Sequence, residues 1–102
     1  MKHSPNPQID FDRIRAIKKA TSAPIVLHGG SGLREEDFIQ AIYAGVSVIH
    51  INTEIRLAWR KGLESALAVD RDEVAPYKLF TLAEKAVESV LFERLKLFNK
   101  LV

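Results

Sequence analysis

Ile25-Val26-Leu27 and Val46-Ser47-Val48-Ile49-His50-Ile51 are the two places where apolar, mostly branched residues run together. Short runs of this kind predict strands buried on both faces, as in a parallel sheet. Around them the apolar positions recur at helical spacing. Phe11, Ile14 and Ile17 mark a first helix, with Asp10 placed to cap it and Thr21-Ser22-Ala23-Pro24 to break it. Phe38, Ile39, Ile42 and Tyr43 mark the buried face of a second. Its opening turns carry Glu35, Glu36 and Asp37, where the helix dipole favours negative charge, and Gly45 ends it. Ile55, Ala58, Trp59, Gly62, Leu63, Ala66 and Leu67 form the stripe of a third. Residues 69–78 read as a polar connection broken by Pro76. Thr81-Leu82-Ala83-Glu84 matches a capping box and predicts the start of the last helix, whose core side would be Ala83, Ala86, Val87, Val90, Leu91 and Phe98. Pro5, Asn6 and Pro7 make the first nine residues an extended lead-in.

The order strand, turn, helix, strand, turn, helix predicts an α/β fold with parallel strands. Two parallel strands that are apolar on both faces need further strand neighbours, so the chain reads as a segment of a larger barrel or sheet. A length of 102 residues is in keeping with one domain or part of one. With 47% hydrophobic and 27% charged residues the composition is that of a globular protein. No apolar run approaches the ~18 residues of a membrane helix, and the start lacks the apolar stretch of a secretory signal. Cysteine is absent, which excludes disulfides, thiolate zinc sites and cysteine nucleophiles and suits a cytoplasmic location. The 15 basic residues are interspersed with 13 acidic ones, a pattern of solvated helix faces and not the footprint of a nucleic-acid binder.

Chemistry concentrates where each strand gives way to a helix. After the first strand comes His28-Gly29-Gly30-Ser31-Gly32. Barrel enzymes keep their active sites at the C-terminal ends of strands, and a glycine-rich turn before a helix lets backbone N–H groups approach an anion such as phosphate. The same residues also suit a loose turn with a locally satisfied histidine. His50-Ile51-Asn52-Thr53-Glu54 occupies the equivalent position after the second strand. His50 has its own bland reading, a strand-end histidine facing a neighbour. The two elements lie one strand–helix pitch apart, and the pair is more specific than either half.

Pro24-Ile25-Val26-Leu27-His28-Gly29-Gly30-Ser31-Gly32 resembles the PLVLHGGSG segment of class II, zinc-dependent fructose-bisphosphate aldolases. Ile9-Asp10-Phe11-Asp12-Arg13-Ile14 is similar to the LDFDRL stretch before it, and Gly45 to Ala58 to the family's GVxKINIDTDLRLA. Asp72 to Lys78 resembles the connection before the terminal helix. The match runs in order along nearly the whole chain. It implies that residues 1–102 are a partial barrel domain: the last two strand–helix units of a TIM (β/α)8 barrel plus C-terminal helices.

By the same resemblance the cofactor is zinc, a Lewis acid, and His28 is one of its ligands. Gly29, Gly30 and Ser31 would hold the phosphate of dihydroxyacetone phosphate, and His50, Ile51, Asn52 and Thr53 would complete that pocket. Arg56 would reach the distal phosphate of the bisphosphate. The implied activity is cleavage of fructose 1,6-bisphosphate to two triose phosphates, in an enzyme expected to be a cytoplasmic homo-oligomer with no nucleic-acid or membrane partner. Three positions depart from the pattern: Val48 stands for a lysine, His50 for a substrate-contacting asparagine, and Asn52 for an aspartate. The family's other zinc histidines and its acid/base carboxylate lie upstream of the matched stretch. His3 is followed by Ser4-Pro5 where the family has glycine, so no ligand role is carried over to it. No catalytic residue is therefore assigned within these residues, and on their own they are expected to be inactive. Two alternatives stand beside this one. The sugar would be tagatose bisphosphate or another ketose phosphate, although Arg56 favours fructose bisphosphate. Or the chain would be a phosphate-binding or subunit-interaction module without catalysis.

Overall fold

Asp10 opens the first helix as a capping residue should: its carboxylate accepts a hydrogen bond from the Arg13 N–H at 3.0 Å. The computed structural model of the protein describes residues 8–99; the lead-in prolines and His3 lie outside them. The elements in chain order are α1 (Phe11–Thr21), β1 (Ile25–Leu27), α2 (Glu35–Ala44), β2 (Val46–Ile49), α3 (Thr53–Val69) and α4 (Pro76–Phe98). They fall into two compact units, one of residues 1–51 with 97–102 and one of residues 52–96.

In the first unit β1 and β2 pair in parallel, with Ile25 opposite Val46, Val26 opposite Val48 and Leu27 opposite Ile49. Parallel pairing needs a crossover, and α2 supplies it. α2 packs on α1 and on β2. Ser22, in the left-handed region at φ 54°, ends α1, and Gly45, at φ 129°, ends α2. Leu33, Phe38 and Leu97 form the buried core, with Ile9, Leu27, Ile39, Ile49 and Phe98 packed against it. Phe38 is fully buried and its ring meets Phe98 at a centroid distance of 5.2 Å.

Two expectations change here. The buried face of α2 is Phe38, Ala41 and Ala44, while Tyr43 is 71% exposed. Small residues let the helix approach its neighbours, and the large aromatic is turned outwards. The strands are also not covered on both faces: Val26 and Val48 are exposed. Among the described residues the sheet has two strands, so their apolar side chains lack the neighbours that such runs are made for.

The second unit pairs α3 with α4. Pro76 is the first residue of α4, not a break before it. A helix needs no N–H from its first residue, and proline's fixed φ suits that position. The capping-box reading of Thr81 therefore fails. Thr81 lies more than a turn inside α4, and its hydroxyl donates to the Tyr77 carbonyl at 3.1 Å. The helices approach closely at Gly62, where an added Cβ would stand 2.6 Å from Ala83 Cα and 2.7 Å from the Leu82 carbonyl oxygen. Ala58, Gly62 and Ala66 are the buried residues of α3, and Ala83 is fully buried on α4. The Arg94 guanidinium donates two hydrogen bonds of 2.8 Å to the Glu54 carboxylate, which ties the opening turn of α3 to α4 in a half-buried bidentate pair.

Gly62→Ala provides a direct check of this packing. Helix propensity alone would favour alanine by ~1 kcal/mol. The added methyl group meets backbone atoms, so we expect net destabilisation of about 1–3 kcal/mol, seen as a lower Tm. An unchanged or higher Tm would show that α3 and α4 do not meet at this glycine.

Candidate functional site

β1 and β2 end side by side, and their hydrogen bonding continues beyond the last strand residues. The His50 N–H donates to the Leu27 carbonyl at 2.9 Å, and the Gly30 N–H reaches the His50 carbonyl at 3.4 Å. This brings His28 and His50, each one residue past its strand, to neighbouring positions. Their rings meet edge to face at 79°, with Nδ1 atoms 3.5 Å apart. Both side chains are exposed.

The loop after His28 is shaped by its glycines. Gly29 has φ +72° and Gly32 φ +89°, and a Cβ at either would meet nothing within 4 Å. Backbone conformation is the reason for glycine at those two positions. Gly30 is different: it is buried, and a Cβ there would lie 2.9 Å from the Phe38 ring. Close approach is its reason, because the loop folds directly over the fully buried Phe38. Among the described residues the N–H groups of Ser31 and Gly32 and the Ser31 hydroxyl have no hydrogen-bond partner. These donors belong to the turn that leads away from His28.

The helix that follows contributes less to an anion site than its position suggests. Leu33 and Arg34 separate the glycine turn from the start of α2, and the Asp37 carboxylate already accepts the Arg34 N–H at 3.1 Å. The Arg34 side chain also donates to Asp37, through Nε at 3.3 Å and Nη2 at 3.1 Å. That hydrogen bonding holds the Asp37 carboxyl below its ordinary range and raises the Arg34 guanidinium above its own. With an acidic side chain capping the helix, the free donors are those of the loop itself.

The structure thus brings His28, Gly29, Gly30, Ser31 and His50 together in the first unit, with half-buried Ile51 at its end. Asn52, Thr53 and Arg56 open α3 in the second unit. The Asn52 carbonyl accepts the N–H groups of Ile55 at 3.0 Å and Arg56 at 3.1 Å, while its side chain makes no cap. The Arg56 side chain is exposed and makes no ion pair among the described residues. Two contacts escape the sequence reading: that of Phe38 beneath the glycine loop in the first unit, and the Arg94–Glu54 pair that ties the start of α3 to α4 in the second. Phe38 is legible only as a helix-core residue; the pair joins residues too far apart in sequence for any local signal.

Comparison with known proteins identifies the family. The family model for class II fructose-bisphosphate aldolase matches residues 1–101. A fructose-bisphosphate aldolase of Mycoplasma pneumoniae is 36% identical over 95 residues, covering 87% of this chain and 33% of that protein. A sulfofructosephosphate aldolase of Alkalicoccus urumqiensis is 30% identical over 93 residues, covering 91% of this chain and 32% of that protein. The crystal structure of the YdjI aldolase from Escherichia coli K12 superposes with a TM-score of 0.75 at 34% identity, over 90% of this chain and 34% of that one. The chain belongs to the class II fructose-bisphosphate aldolase family. It spans about a third of the length of the curated relatives it matches. Its short parallel strands and flanking helices are those of a C-terminal piece of the family's barrel.

The two kinds of glycine in the loop give a paired prediction. Gly30→Ala should cost about 1–3 kcal/mol by forcing its methyl group into Phe38. Gly29→Ala should cost about 1–2 kcal/mol through its left-handed backbone, without disturbing the core. Near-ultraviolet circular dichroism and aromatic proton shifts of Phe38 should respond to the first substitution and not to the second. A Phe38 environment untouched by Gly30→Ala would contradict the described packing.

Proposed function

We propose that this chain supplies the C-terminal part of the active site of an aldolase that splits a ketose phosphate into dihydroxyacetone phosphate and an aldehyde. Fructose 1,6-bisphosphate is the substrate that Arg56 favours. The observation that carries the reading is the corner where the unpartnered Ser31 and Gly32 donors follow His28, itself beside His50 at the adjoining strand end. In this reading Gly29 and Gly30 shape the turn, and the unpartnered N–H groups of Ser31 and Gly32 with the Ser31 hydroxyl bind the triose phosphate. The family resemblance further assigns His50, Ile51, Asn52 and Thr53 to substrate binding and Arg56 to the distal phosphate, a task that its planar guanidinium suits.

Zinc fits part of this arrangement. A catalytic zinc takes about three protein ligands, and two exposed imidazoles aimed at one another are suitable donors for it. Among the described residues no group of three or more histidine, cysteine, aspartate or glutamate side chains is gathered to hold a metal. His28 would be a ligand, with further ligands outside the described residues; bound zinc would supply Lewis-acid polarisation of the substrate. One assigned ligand and no assigned base are the grounds for expecting these 102 residues to be inactive without the rest of a barrel.

A second reading concerns the sugar. His50, Val48 and Asn52 stand where the resemblance leads one to expect asparagine, lysine and aspartate. Relatives of similar identity include, besides those already described, a 6-phospho-5-dehydro-2-deoxy-D-gluconate aldolase of Shouchella clausii. A ketose phosphate other than fructose bisphosphate is the alternative that these substitutions favour.

Arg56→Ala, made in an active enzyme that contains this chain, separates the readings. The distal phosphate is remote from the bond being broken, so its contact serves to position the substrate. Loss of one charge-assisted contact should cost roughly 1.5–3 kcal/mol, about one to two decades in kcat/KM for fructose bisphosphate. Proton exchange on dihydroxyacetone phosphate, which lacks a distal phosphate, should be unaffected. Equal losses in both reactions, or a loss in neither, would contradict the role given to Arg56.

A further inference from the structure

We infer that His50 is a metal ligand in its own right, and that His28 and His50 together form a two-nitrogen clamp, Nδ1 to Nδ1, for zinc or a similar divalent transition-metal ion. The inference deepens the proposal above and rests on its placement of a metal at His28. It departs from that proposal in giving His50 to the metal and not only to the sugar.

The geometry points this way in three respects. The Nδ1 atoms are 3.5 Å apart and the ring centroids 5.7 Å apart, so both nitrogens point into the gap between the rings. That separation is beyond the roughly 2.7–3.2 Å of a good N–H hydrogen bond. It is close to the spacing of about 3.4 Å that two nitrogens adopt when each lies ~2.0–2.1 Å from one tetrahedral zinc. A hydrogen bond between the rings would draw the nitrogens together; a shared cation would hold them near their present distance.

The backbone fixes the pair. Leu27 and Ile49 are partners in the parallel ladder, and the His50 N–H donates to the Leu27 carbonyl at 2.9 Å. The next residues, His28 and His50, therefore start from anchored positions, and little reordering is needed to close on an ion. Apart from each other, the rings have no side-chain partner among the described residues that would compete for Nδ1. Both histidines are exposed, so an ion reaches them from solvent. Two protein nitrogens leave coordination positions free, as a site that must also accept substrate oxygens requires.

Zinc binding to the 102-residue protein tests this without reference to turnover. The His3→Ala background removes the remaining histidine of the chain. In it, adding zinc should shift the imidazole 15N resonances of the Nδ1 atoms of both His28 and His50. Competition with a chromophoric chelator should show that His28→Asn and His50→Asn each weaken zinc affinity by about tenfold or more. Cobalt(II) should likewise give a ligand-field spectrum that either substitution changes. If the resonances of His28 alone respond and His50→Asn binds zinc as tightly as its parent, the clamp is wrong while the role of His28 stands. If neither histidine responds, the clamp and the metal role of His28 are both overturned. The 15N shifts, read with both histidines in place, decide between these outcomes even where a variant folds poorly.

Discussion

The parallel register of β1 and β2 is the constraint from which the candidate site follows. With Leu27 opposite Ile49, the residues just beyond each strand are His28 and His50, and the ladder bond from His50 N–H to the Leu27 carbonyl locks that relation. A slip of one residue would turn the alternating side chains of one strand to the opposite face and separate the imidazoles. The same continuation reaches Gly30, whose N–H leans on the His50 carbonyl and whose missing side chain lets the loop close over Phe38. The proposed metal-binding and phosphate-binding groups thus share one backbone support. A change at Phe38 would be felt at the loop although Phe38 lies beneath it, in the core.

The opening of α3 shows a comparable division between groups that hold and groups that act. Glu54 is committed to Arg94 by two short hydrogen bonds, while Arg56, two residues on, keeps its guanidinium in solvent. Half-buried, bidentate pairing makes Glu54–Arg94 a structural contact in this unit. Arg56 has the exposure that a phosphate ligand needs. Likewise Asp37 is paired with Arg34 and caps the head of α2, so the donors left for an anion are those of the loop before it.

Much of this is legible in the residues. The branched runs, the glycines after His28 and the cap at Asp10 each announce their local structure through side-chain or backbone sterics. What escapes depends on groups distant in sequence or on how much room a neighbour leaves. Pro76 reads as a break because a proline interrupts a helix interior, but it suits the first position equally well, and local sequence does not separate the two uses. Tyr43 fits the helical stripe of α2, yet Ala41 and Ala44 take the buried positions, since close packing there selects small side chains. Of the site, the placement of His28 and His50 at strand ends is readable, whereas the inward aim of both Nδ1 atoms requires the structure. Capping by Asp37 weakens one argument for phosphate, that of the helix terminus, and leaves the loop donors to carry it.

The claim on which all of this depends is that the two strand ends make one ligand-binding corner. Amide 1H–15N shift mapping with inorganic phosphate, on the 102-residue protein, tests it most directly. The account predicts that the amides of Gly29 to Gly32 and of His50 and Ile51 shift together along a single saturating curve. Shifts confined to scattered lysine and arginine positions, or a response of the glycine loop without His50 and Ile51, would contradict it.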